Sequence, residues 1–308
     1  MAKLNAAPPV RGTQLLVEHI GGVFRRPSLI AIEIGWRWLF GVPFLFLCWA
    51  WTASTLSKME FEGSSSINIS NPWLAAIQLS NAWHIYQPLF KKFLSQLILP
   101  AAGAWIILSG LGRAWLLMRL GKGIARKSRF RPVTMMLLQA IWLGLWLLTV
   151  GCWYSLMSWV AATYINVAGE PDLVGYFVWA IFLSLGFFCA FALTSWLLSI
   201  APLFAQFEDC SAREALAESL ALGKQFTGKL IEINLVLGIV KLALVVLAMV
   251  FSAAPLPFAD ELGESAIHFV AATSIIFYFV ANDFFQVVRI KAFLEFWKTF
   301  RGSAARTA

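Results

Sequence analysis

Two ionisable residues stand inside otherwise apolar runs of this chain, and their spacing is the first place to look for chemistry. Lys241 lies ten residues past Ile231 and Asp283 seven residues before Ile290, which on helices puts them roughly 15 Å and 10 Å from the same end. A charge at bilayer depth costs roughly 2.5–3.5 kcal/mol on insertion scales, so each needs a partner or a use. On sequential antiparallel helices the two can form a pair. Asn234 precedes Lys241 by seven residues on the same helix face, Asn282 and Gln286 flank Asp283, and Arg113 is the alternative partner for the carboxylate. Such a cluster either locks two helices in register or lines a polar cavity for a proton, an ion or a lipid headgroup.

Other chemistries lack their residues. His19, His84 and His268 fall outside the apolar runs or at their edges, which disfavours both an intramembrane serine–histidine pair and axial imidazole ligation of haem. Neither a His nor a carboxylate stands three or four residues after His84. Cys48, Cys152 and Cys189 lie within apolar runs and Cys210 in a loop, with no C-x-x-C spacing, so neither a disulfide nor a zinc site is expected. There is no Gly-rich phosphate loop and no acidic metal motif. The chain is therefore expected to carry no catalytic residue, cofactor or metal.

The elements that position the polar cluster are six long apolar segments, approximately 33–55, 94–118, 133–160, 175–200, 231–254 and 267–288. Each is near or above the roughly 20 residues a helix needs to cross about 30 Å of hydrocarbon. With 60% hydrophobic and 13% charged residues, the chain could not cover a soluble globule with polar surface. The expectation is an all-α polytopic membrane helix bundle: one domain of six transmembrane helices with interfacial amphipathic helices.

Orientation follows the basic residues rather than the net charge of +8. Seven Lys or Arg and no acid lie from Arg113 to Arg131, whereas Glu170 and Asp172, and Asp260, Glu261 and Glu264, occupy loops without a Lys or Arg. Both termini are thus expected to be cytoplasmic in a multi-pass protein of a prokaryotic cytoplasmic (inner) membrane. The expected partners are the lipid bilayer and a membrane or peripheral protein; the basic face suits acidic headgroups, not nucleic acid.

Between the spans the sequence carries further signals. Gln14 to Phe24 reads as an interfacial helix ended before Pro27, and Glu33 and Arg37 have the i, i+4 spacing of a helix pair. The connection from Leu56 to Phe93 reads as a loop, containing the glycosylation-type triplet Asn68-Ile69-Ser70, followed by a surface helix over 72–90 that carries Trp73 and Trp83. Ser109-Gly110-Leu111-Gly112 invites close approach of another helix.

From Ala201 to Gly238 the chain has a grammar of its own. Ser211 and Glu214 have capping-box spacing, which predicts a short cytoplasmic helix over 212–222 that ends at Gly223. Pro202, the acidic pair Glu208-Asp209, Ser211-x-x-Glu214-Ala215-Leu216, Ser219, Leu222 and Lys224, followed by a new span, resemble the membrane domain fused to some bacterial glycerophosphodiester phosphodiesterases. Asp283, Phe284, Phe285 and Arg289 extend the likeness into the last span. The resemblance implies the six-span fold and no phosphodiesterase activity, because the soluble catalytic domain and its His-Arg-Gly opening do not occur. A non-catalytic scaffold or accessory subunit is the leading expectation. A carrier or channel using the Lys241/Asp283 cluster is the alternative, and a lipid-modifying enzyme has the least support.

Overall fold

The computed structural model describes residues 12–56, 72–122, 130–165, 170, 172–253 and 264–307. Its elements are α1 (Gly12–Phe24), α2 (Pro27–Leu56), α3 (Pro72–Leu120), α4 (Pro132–Tyr164), α5 (Leu173–Phe207), α6 (Ala212–Ala253) and α7 (Glu264–Thr307). The protein is all-α. Six stretches are long and apolar enough to cross a membrane: Pro27–Ser54, Tyr86–Leu120, Pro132–Tyr164, Leu173–Phe207, Ala212–Val250 and Phe269–Gly302. The Asn68-Ile69-Ser70 triplet, Asp260 and Glu261 lie outside the described residues, as do the side chains of Trp73, Trp83, His84 and His268.

Local chemistry accounts for several helix starts. Pro27 and Pro132 open α2 and α4, where the missing N–H costs nothing because the first turn has no intrahelical acceptor for it. Asp172 caps α5, its carboxylate accepting from Gly175 N at 2.9 Å. At the start of α6, Ser211 N donates to Glu214 Oε2 at 2.8 Å and Glu214 N to Ser211 Oγ at 3.4 Å, a reciprocal cap.

Two boundaries differ from expectation. The region 72–90 is not a separate surface helix: α3 runs unbroken from Pro72 to Leu120, with Pro88 and Pro100 inside it. Proline weakens one turn, but where the flanking residues are helix-compatible it bends a helix without ending it. Nor does Gly223 end the helix that begins at Ala212. The break comes at Phe226, with φ −116° and ψ 21°, and its ring stacks on Phe296 of α7 at 5.7 Å. Gly223 serves a different purpose, since a Cβ there would stand 2.2 Å from Leu197 Cδ2 of α5. It lets α5 and α6 approach.

The chain divides into two compact units, Trp36–Ser109 and the remainder, Met1–Gly35 with Gly110–Ala308. Within the first, α2 and α3 are joined by rings: Trp105 meets Trp36 at 5.6 Å and Phe40 at 5.3 Å, and Trp51 stacks on Phe93 at 4.0 Å. Within the second, α4 packs on α5, α5 on α6 and α6 on α7, while α1 lies against α6 and α7. Its core gathers Val23, Leu117, Leu203, Phe204, Leu222, Ile233 and Phe293. Much of the apolar surface of the spans remains open, including Ile181 and Phe182 on α5 and Leu242 and Val246 on α6.

Candidate functional site

The neighbouring helices α6 and α7 carry the polar residues singled out in the sequence. Asn234 and Lys241 stand on α6; Asn282, Asp283 and Gln286 stand on α7. Asp283 is 4% exposed, Gln286 6% and Asn234 7%, while Lys241 and Asn282 are half-buried. Asn234 donates its amide to Leu230 O of its own helix at 2.8 Å, which satisfies one donor locally. Arg113 on α3 approaches Glu33 of α2, Nη2 to Oε1 at 3.7 Å, with Glu33 fully buried. A buried carboxylate keeps its charge only beside a cation or donors, so this pair joins two helices rather than decorating a surface. Arg37, spaced to pair with Glu33, places its guanidinium 5.2 Å from the centre of the Trp36 ring.

A second polar assembly surrounds the α5–α6 turn. Glu208 accepts from Trp297 Nε1 and from Arg301 Nε, each at 2.5 Å, and also pairs with Arg301 Nη2. Arg301 reaches Glu218 at 3.6 Å and lies over the rings of Phe204 and Phe300 at 5.6 and 5.7 Å. Arg131, the residue before α4, pairs with Asp209 at 2.6 Å and donates to Cys210 O at 3.1 Å. Asp209 adopts φ 60°, a left-handed conformation that Asp tolerates better than most residues and that turns the chain sharply between the helices. Burial pushes the Cys210 thiol up, which makes it a poor nucleophile. Two segments far from it in sequence are thus tied to one turn.

The Glu208–Arg301 and Arg131–Asp209 pairs were not read from the sequence, and only the bare acidic pair signalled them. The same holds for two contacts within the apolar runs, where Trp142 and Trp153 of α4 donate to Ser195 and Ser184 of α5 at 2.9 and 3.0 Å. Trp153, Trp146, Val150, Phe187, Phe188 and Phe191 line an open groove of about 230 Å³ between these helices. Its lining is mostly apolar; Thr149 and Ser184 add two hydroxyls, which are engaged with Leu145 O and Trp153 Nε1. Among the described residues, no three His, Cys, Asp or Glu side chains converge to hold a metal.

The six apolar helices define the class: this is a multi-pass helical membrane protein. Comparison with protein-family models, with curated proteins and with solved structures finds no match.

Proposed function

We propose that this chain is a non-catalytic membrane subunit that holds another membrane or peripheral protein at the cytoplasmic membrane of a prokaryotic cell, with both termini on the cytoplasmic side. One observation carries the reading. Tight packing and ion pairs are gathered around the α5–α6 turn and the C-terminal part of α7, while none of the most apolar stretch of α5 is buried. A rigid polar body joined to open apolar helix faces suits assembly with other proteins, since van der Waals packing and a few hydrogen bonds drive helix association in lipid. The likeness of 202–238 to domains that occur fused to a separate enzyme supports the same role. Purification from native membranes in mild detergent should recover a partner at fixed stoichiometry. Recovery of the chain alone, after gentle cross-linking as well, would overturn the proposal.

A carrier is the second reading, favoured by the burial of Asp283, Gln286 and Asn234 on adjoining helices. Buried ionisable groups at membrane depth commonly mark a solute path.

A further inference from the structure

His19 on α1 is 6% exposed, yet its Nε2 has no hydrogen-bond partner among the described residues. Buried polar side-chain atoms are nearly always paired, so this nitrogen calls for a ligand. Lys291 on α7 stands close enough to disfavour a protonated His19. The Lys291 ammonium lies directly on the backbone of α1, where a Cβ built on Gly22 would stand 2.0 Å from Nζ. Arg26, the residue before α2, adds a third positive group that repels Lys291.

Compensating acids are scarce at this place. Glu295, one turn beyond Lys291, is held by Lys298 at 2.7 Å, and Glu18 is exposed. Among the described residues, no carboxylate comes within ion-pairing distance of Lys291. The first turn of α2 contributes the positive end of its dipole beside Arg26. Glu295 and Glu18 also act on His19 and Lys291, but neither forms an ion pair with Lys291, so basic groups from three segments gather at a spot whose ammonium has no acid in contact.

We infer that His19, Arg26 and Lys291, with Gly22 as the floor, form a site for a phosphate-type anion, as presented by an acidic phospholipid headgroup or by free phosphate. His19 in its Nε2–H tautomer and the Lys291 ammonium donate to phosphate oxygens, and the Arg26 guanidinium and the α2 terminus complete the field. The site lies where α1 meets the charged part of α7 beyond Arg289, the level at which a span leaves hydrocarbon for headgroups.

The test titrates the purified full chain, in a neutral detergent, with phosphatidylglycerol, phosphatidylcholine or inorganic phosphate, reading the thermal midpoint and the bound lipid by native mass spectrometry. Phosphatidylglycerol should stabilise and stay bound where phosphatidylcholine does not. Lys291→Gln should weaken its apparent affinity about tenfold, the loss of a charge-assisted contact. Gly22→Ala should do the same, because its methyl group takes the place of a flexible ammonium end and spares the fold if Lys291→Gln does not. Arg213→Gln, a basic change on α6 at a residue that acts on neither His19 nor Lys291, should leave the affinity unaltered. Stabilisation by inorganic phosphate alone, lost in the same variants, would support the site and assign it to the free anion. Equal responses to the two lipids with no response to phosphate, or anion binding unchanged in Lys291→Gln and Gly22→Ala, would overturn the inference.

Discussion

At Asp283 and Lys241 the sequence reveals more about cost than about partners. Each residue interrupts an apolar run, which makes it conspicuous, but the contact proposed between them depends on how two helices are rotated. Lys241→Met and Asp283→Leu should each lower the thermal midpoint, because removing one member of a buried pair strands the other, at a cost of about 3–5 kcal/mol. The double variant should recover more than half of the combined loss; simple addition of the two losses would show that the residues do not touch. His19 illustrates the opposite case, a residue that the sequence placed on an interfacial helix without any sign of burial. Burial and the neighbouring Lys291 hold its imidazole below the usual range, while Glu295 and Glu18 pull upward and Lys298 downward. A ring kept neutral by the fold contributes its full stability above about pH 6.5, the ordinary imidazole value, and that contribution is lost as pH falls through the depressed value. In lipid-free detergent the midpoint should therefore decline as pH falls below about 6.5, with a shallower slope in His19→Gln. An equal slope in the variant would remove His19 as the cause.

Helix starts were more legible than helix ends. Ser211-x-x-Glu214 and Asp172 act within one turn, so their residue types carry the signal, whereas α3, α5 and α7 run past the apolar stretches that announce them. Nothing in an apolar run marks how far a helix continues into polar surroundings, and the break at Phe226, whose ring stacks on Phe296, carries no local signal either. Glycines show the same dependence. A Cβ at Gly110 of α3 would meet Met136 Cγ at 2.6 Å and its Cα and N at 2.9 Å, and backbone atoms cannot turn aside. Gly110→Ala should cost about 1–3 kcal/mol through forced separation of α3 and α4. Gly223→Ala meets only the end of the Leu197 side chain and should cost less. Thermal midpoints of the two variants give the comparison, and the reverse order would refute the close α3–α4 contact.

For the whole molecule, the six-span architecture was readable because a bilayer imposes its thickness on every span independently. The Glu208–Arg301 pair was not, since 93 residues separate its members and only the finished fold brings them together. The core has a related consequence for synthesis. Val23 on α1 is covered in a cluster that includes Phe293 on α7, so the two faces of one core leave the ribosome 270 residues apart. At about 5–20 residues per second, α1 waits on the order of tens of seconds for the helix that shelters it. The spans meanwhile need no such help, since each is apolar enough to rest in lipid by itself. Newly made chains thus pass through an interval in which the earlier spans are settled while α1 is bare, and a protease or chaperone that surveys unfinished chains would find α1 uncovered during it.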